Sequence, residues 1–220
     1  MIIDCISDLH GYYPTLEGGD LLIVAGDLTA RDTILEYKEF DLWLAKQKYK
    51  HKIIIAGNHD NFIQRVRDWN GFEEIKGGIY LCDSGTEFEG FKIWGSPWTK
   101  RFEGMNPKAM AFTVDTDDEL AEKWALIPED TDILITHSPP KGMRDLISRK
   151  ENVGSLSLVR RLTFLTPKLH VFGHVHEGYG EARFHIKNCA KSELKLCYLV
   201  NASHVNERYE PVNKPIRIEL

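Results

Sequence analysis

Residues 171–180 read Val171-Phe172-Gly173-His174-Val175-His176-Glu177-Gly178-Tyr179-Gly180. The apolar run Lys168 to Phe172 has the length of a strand and stops at Gly173, after which two imidazoles leave one bend two residues apart. Alternate residues of a bending chain point in diverging directions, so a single turn can hand two ligands to two neighbouring positions. Working outward, the same plan recurs. Ile2 to Ser7 runs into Asp8-Leu9-His10-Gly11, Asp20 to Ala25 into Gly26-Asp27, Lys52 to Ala56 into Gly57-Asn58-His59-Asp60, and Asp132 to Thr136 into His137. With Leu196 to Asn201 these runs are mostly hydrophobic at consecutive positions, as strands covered on both faces are.

Helical patterns at Thr33 to Lys48, Asp118 to Leu126 and Ser155 to Leu165 lie between the strands, and Tyr37, Phe40 and Leu44 share one face of the first. Strands alternating with helices argue an α/β fold with the site at the carboxyl ends of the strands, where loops converge without breaking the sheet. Gly77 to Pro97 differs: short strands separated by glycine turns predict an antiparallel meander. Lys100 to Asp117, with Phe102, Met105, Met110 and Phe112, is long for a connection; it reads either as a lid or pocket wall, or as a loop pinned by satellite core contacts. Arg183 to Lys195 reads as a hairpin arm.

A chain of 220 residues supports one substantial core, so a single domain over 1–220 is expected. No apolar run approaches the roughly 18 to 20 residues that cross a bilayer. The start, MIIDCISDLHG, carries acids and no basic segment and does not read as a signal peptide. Four cysteines without CxxC spacing fit reduced thiols and a cytoplasmic location. The net charge of −5 lacks the basic footprint of a protein that binds nucleic-acid duplexes. A homodimer is compatible with all of this.

The strand exits gather His10, His59, His137, His174 and His176, five of the nine histidines, with Asp8, Asp27 and Asn58. Carboxylates, a carboxamide and imidazoles without thiolates suit Mn²⁺ first, with Fe, Zn²⁺, Co²⁺ and Ni²⁺ as alternatives. The seven candidates Asp8, His10, Asp27, Asn58, His137, His174 and His176 are too many for one tetrahedral ion. They fit two divalent ions sharing a carboxylate, the arrangement that clamps both oxygens of a phosphoryl displacement.

Asp8-x-His10, Gly26-Asp27, Gly57-Asn58-His59-Asp60, His137 and Gly173-His174-x-His176 together resemble the calcineurin-like metallophosphoesterases. GDLLIVAGDLT (19–29), GSPWT (95–99), ITHSPPKG (135–142), VNAS (200–203) and YEPVNKPI (209–216) further resemble their metallophosphoesterase-domain-containing (MPPED), class III cyclic-nucleotide-phosphodiesterase-like branch. The resemblance implies a four-layer α/β/β/α sandwich with mixed sheets. It implies that Asp8, His10 and His176 hold one ion and Asn58, His137 and His174 the other, with Asp27 bridging and a water activated by the ions as nucleophile. His59 is expected to face the phosphate and act on the developing charge or the leaving alkoxide. Asp60 either orients His59 or caps the helix that starts at Asn61. Phosphoprotein phosphatases of the superfamily follow the GD pair with a further aspartate, where this chain has Ala30, which argues against a protein phosphatase. Some MPPED members replace the first histidine of the GHxH pair with glycine; this chain keeps His174.

The expected activity is a binuclear phosphodiesterase on small phosphodiesters, cyclic nucleotides (2',3' or 3',5') leading. A nuclease or RNA-end-processing phosphatase is the enzymatic alternative, and a nucleotide-binding sensor the non-enzymatic one. Trp98, beside Trp94 and Phe102, is the candidate for stacking a base; packing within the core is the alternative for both tryptophans. Lys100, Arg101, Lys141, Arg144, Arg149 and Lys150 supply local positive charge.

Overall fold

In a computed structural model, which describes residues 1–67, 75–101, 104–189 and 193–220, the chain forms two large sheets with helices outside both, and a small two-stranded one. In chain order the first elements are β1 (Ile2–Ile6), β2 (Gly19–Ala25), α1 (Ile34–Ala45), β3 (Tyr49–Ile55), α2 (Asn61–Arg67) and β4 (Ile79–Tyr80). The middle holds β5 (Ser84–Phe88), β6 (Phe91–Ser96), the two-residue strands β7 (Thr99–Lys100) and β8 (Thr113–Val114), α3 (Asp117–Ala125) and β9 (Ile133–Thr136). The last part comprises α4 (Leu156–Leu165), β10 (Leu169–Phe172), β11 (Gly180–Lys187), β12 (Leu194–Asn201) and β13 (Ile216–Glu219).

One sheet has the order β13-β1-β2-β3-β4 and the other β11-β12-β10-β9-β6-β5. Inner neighbours are parallel, while β13, β11 and β5 pair antiparallel at the edges, so both sheets are mixed. The even and odd residues of each strand explain the layers. Ile3, Leu21, Ile23, Ile53 and Ile55 of one sheet meet Ile93, Ile133, Ile135, Val171 and Val200 of the other. Their neighbours Leu22, Val24 and Ile54 face outward onto Tyr37, Phe40 and Leu44 of α1 and Ile63 of α2. Leu134, Phe172 and Leu199 face Leu120 and Trp124 of α3 and Leu158 and Leu162 of α4. This is the α/β/β/α sandwich that the resemblance implied, and it explains why the inner strands have no polar face: each side chain removed from water adds about 1.5–3 kcal/mol on one side or the other.

Helix starts follow local chemistry. Thr33 and Glu36 form a capping box at α1, Thr116 and Glu119 another at α3, and the Ser155 side chain accepts the Leu158 amide at α4. The predicted meander at 77–97 needs correction. β5 and β6 form an antiparallel hairpin, but β4 leaves them and joins the other sheet, parallel to β3. β13 also escaped the sequence reading: its four residues pair with β1 across the length of the chain. The arm at 183–195 is part of the β11–β12 hairpin, whose tip at 190–192 lies outside the described residues.

Candidate metal centre

Three strands of one sheet and two of the other deliver their exits to one place. Asp8 and His10 follow β1, Asp27 follows β2, Asn58 to Asp60 follow β3, His137 follows β9, and His174 and His176 follow β10. The sheets are tied together there: the Ser7 amide donates to the Ala202 carbonyl at 2.8 Å, and its hydroxyl donates to the Ala25 carbonyl at 2.9 Å. Asp8, His10, Asp27 and His174 all have left-handed backbones, with φ of 51°, 44°, 55° and 66°. Each such residue costs about 1–3 kcal/mol, and that four fall among the seven candidates indicates that the turns are set by where their side chains must go. Two glycines make room for them. A Cβ at Gly57 would stand 2.2 Å from Asp27 Oδ1, and one at Gly173 would stand 2.1 Å from Asp8 Oδ2.

The side chains fall into two donor sets. In the first, Asp8 Oδ1 lies 3.5 Å from His176 Nε2, and Asp8, His10 and His176 each place a ligand atom within 4.8 Å of the others. In the second, Asn58 Oδ1 lies 3.0 Å from His137 Nε2 and 2.9 Å from His174 Nδ1. Asp27 Oδ2 belongs to both, 3.8 Å from His10 Nε2 and 3.4 Å from His137 Nε2. Asp8 and His10, just beyond the end of β1, thus fall in one set, whereas His174 and His176, on one turn after β10, fall in different sets.

The protonation pattern fits cations between these atoms. The Nδ1–H of His137 donates to the Ala25 carbonyl at 2.9 Å, and that of His176 donates to the Asn206 carbonyl at 3.1 Å, so each turns its Nε2 toward carboxylate or carboxamide oxygens. The Asn58 amide nitrogen donates to the Ala109 carbonyl at 3.2 Å, which leaves its oxygen for the histidines. His10 Nε2 is buried without a hydrogen-bond partner among the described residues. Oxygen and imidazole donors converging from five strand exits, with one buried imidazole nitrogen lacking a hydrogen-bond partner, favour positive charge among them, and the residues present fit two divalent ions.

The titration shifts express the same competition. Burial opposes the charge on His137, but the nearby Asp27 carboxylate outweighs it and raises the imidazole to about 9. For Asp8, burial is outweighed by hydrogen bonding and attraction from His176, and its carboxyl is held below the usual range; for Asp27 the outweighing groups are His137 and His59. Burial dominates at His10, pushed down to about 4, and at His174, pushed down to about 3, so both present neutral rings.

A family model described as calcineurin-like phosphoesterase matches residues 1–178, which include every one of these side chains. The chain belongs to the calcineurin-like phosphoesterases. This phosphoesterase is 38% identical to human metallophosphoesterase domain-containing protein 1 over 242 residues, covering 98% of this chain and 70% of the relative. It is 34% identical to the UPF0046 protein T07D4.2 of Caenorhabditis elegans over 248 residues, covering 98% and 59%. Among solved structures, TT1561 of Thermus thermophilus has the same fold at a TM-score of 0.58 and 14% identity, covering 98% of this chain and 97% of that one. Purple acid phosphatase PPD1 from yellow lupin seeds matches at 0.51 and 12%, covering 99% and 47%. The family makes the chain a phosphoester hydrolase that uses divalent metal ions. No described helix of the phosphoesterase is long and apolar enough to cross a membrane.

The remaining candidates separate. His59 lines the same pocket as Asp27, Asn58, His174 and His176, a cavity of about 230 Å³, with its ring centroid 4.7 Å from that of His10. Asp60 does neither thing expected of it. Its buried carboxylate accepts from the amides of Asp27, Leu28 and Gly57 and from the Tyr37 hydroxyl, not from His59 or the first amides of α2. Trp98 is also placed differently from the base-stacking expectation: its indole N–H donates to Asp83 at 2.7 Å, its edge meets Phe112, and Lys123 covers its ring at 4.0 Å. Trp94 packs with the α3 and α4 layer, and Phe102 lies outside the described residues. The 100–117 loop is both things proposed for it, since Met105, Asn106 and Ala109 wall the pocket while the Phe112 amide is pinned by Gln64.

Sequence reasoning missed the contribution from beyond β12. The Ser203 hydroxyl donates to Asp8 Oδ2 at 2.7 Å. Tyr209 sits edge-on to His10 at 4.8 Å and His176 at 5.2 Å, on the same short loop whose Asn206 carbonyl orients His176. The available signal was VNAS (200–203) with Tyr209 six residues on, neither of which lies at the exit of an apolar run ending in a glycine.

Proposed function

We propose that this phosphoesterase is a phosphodiesterase of small nucleotide diesters that works with two divalent ions, Mn²⁺ being the first to try. The observation that carries the reading is Asp27 Oδ2, shared by both donor sets at the floor of an accessible pocket. Two ions held by these sets would supply Lewis-acid polarisation of phosphoryl oxygens and a water of lowered pKa. The chain's own part is positioning. The His59 amide donates to Asp27 Oδ1 at 2.9 Å, which fixes the shared carboxylate, while its ring faces the pocket and can give a proton to the departing alcohol oxygen. Tyr209 packs edge-on against the His10 and His176 rings and lines the same pocket.

A cyclic nucleotide meets these chemical demands, and so does a linear one. The test is hydrolysis of bis-p-nitrophenyl phosphate and of 2',3'- and 3',5'-cyclic nucleotides with Mn²⁺. Turnover of a diester supports the reading. Hydrolysis of p-nitrophenyl phosphate alone, by protein carrying both ions, would make the chain a monoesterase.

A further inference from the structure

The metal pocket shares wall residues with two further cavities, each of about 460 Å³. One has His59 and Asn106 in common with it, on the His10 side of the centre, and the other His174 and Glu177, on the Asn58 side. Both carry cations whose side chains have no partner among the described residues: Arg31 and Lys108 in the first, and Lys100, Lys141 and Arg149 in the second. The acids nearby are mostly engaged. Asp32 accepts from the Phe62 amide and Tyr37, Asp117 from Ser155 and Ser157, and Glu177 from Ser148, leaving Glu151.

The wall of the second cavity is built rather than loose. Asp145, fully buried, accepts from the Gly142 and Gly154 amides and from the Asn152 side chain, and so shapes the 141–154 loop from within. That loop presents Ile147 and Val153 to the cavity beside Lys141 and Arg149, an apolar surface next to positive charge. A sugar and base with a phosphate attached have the same composition.

A diester phosphorus joins two alcohols. In a linear nucleotide these are two separate nucleosides, whereas a cyclic nucleotide draws both ester oxygens from one ribose and fills a single cavity. We propose that the site is built for a linear nucleotide diester whose two arms each carry a further phosphate, one arm in each cavity, in preference to a cyclic nucleotide. This rests on the phosphodiesterase reading above. In the reaction, water adds its oxygen to phosphorus, the bond to one alcohol oxygen breaks, and that oxygen takes a proton, giving a monoester and an alcohol.

The test compares kcat/KM of the metal-loaded chain for a thymidine dinucleotide phosphorylated at both ends with that for 2',3'- and 3',5'-cyclic nucleotides, using bis-p-nitrophenyl phosphate as the reference. The dinucleotide is expected to exceed the cyclic compounds by at least about 10-fold, one well-placed charge contact being worth about that much. Two double variants, Lys141→Glu with Arg149→Glu and Arg31→Glu with Lys108→Glu, should each lower the ratio of dinucleotide to reference turnover by about 10-fold or more. A cyclic nucleotide preferred over the dinucleotide, or a ratio that neither variant moves, overturns the proposal. If no diester is hydrolysed, the phosphodiesterase reading fails by itself. The arms are then judged by calorimetry on the Mn²⁺-loaded chain, where the unhydrolysed dinucleotide should bind about 10-fold more tightly than thymidine 5'-monophosphate and lose that advantage in both variants; equal affinities overturn the proposal.

Discussion

The carboxylate of Asp60 accepts the backbone amide of Asp27 at 2.9 Å, and through that bond a buried acid with no place among the ligands sets the turn that carries the shared one. Burial, reinforced by Asp27, raises the Asp60 carboxyl to about 7, so the position holds its charge only through the four donors around it. Asp60→Asn turns acceptors into a donor group facing amides. We expect a loss of about 2–4 kcal/mol in chemical denaturation, and about 10- to 100-fold weaker binding of metal by a chain that still folds. Unchanged metal affinity would mean that Asp27 holds its place without this support.

Gly173→Ala tests why the bend after β10 needs glycine. The new methyl would meet Asp8 Oδ2 and Ser7 Oγ, each at 2.1 Å. Overpacking of this kind costs about 1–3 kcal/mol, and here the group that must yield is a metal-ligand candidate. Metal analysis of the folded variant should show the Asp8, His10 and His176 site depleted; full occupancy would show that the bend can shift without moving Asp8.

How much of this was legible beforehand follows from which interactions are local. Candidate ligands at strand exits announce themselves, because each lies just past an apolar run, most of them beside a glycine; Asp8, Asp27, Asn58, His137 and His174 were all singled out that way. Asp60 was found as a residue and misread as a group, since its partners Asp27 and Leu28 are more than thirty positions away. The departure of β4 from its hairpin neighbours and the return of β13 to β1 depend on pairing partners that no periodicity reveals. Trp98 looked like a base platform because an aromatic after a strand carries no mark of which face Lys123 covers.

His59 is predicted to act on the substrate rather than to bind metal. Its ring lies close to His10 and Asp27, within reach of a ligand position. His59→Ala should keep two ions per chain by elemental analysis while kcat falls about 10²- to 10⁴-fold. Loss of an ion in this variant would move His59 into the ligand set.

Away from the metals, His170 gives a pH signature. Thr136 Oγ1 donates to the Ser138 carbonyl and therefore accepts from His170 Nε2, leaving Nδ1 buried without a hydrogen-bond partner among the described residues. Burial pushes this imidazole down to about 3 from the ordinary 6.5. The unfolded chain takes up the proton below pH 6.5 and the folded chain does not, so the stability from this group is complete above that pH and falls as pH drops toward 3. One proton corresponds to about 1.4 kcal/mol per pH unit. Denaturation midpoints of His170→Gln between about pH 6.5 and 4 should fall less steeply than those of the native chain by about that slope; parallel curves would show that His170 protonates in the folded state.

The most direct test of the account is metal stoichiometry in the native chain and in His174→Ala, by elemental analysis after Mn²⁺ loading and removal of free metal. Two donor sets joined by Asp27, with His174 in only one of them, predict two ions per native chain and one in the variant. A single ion in the native chain, or two retained without His174, would contradict it.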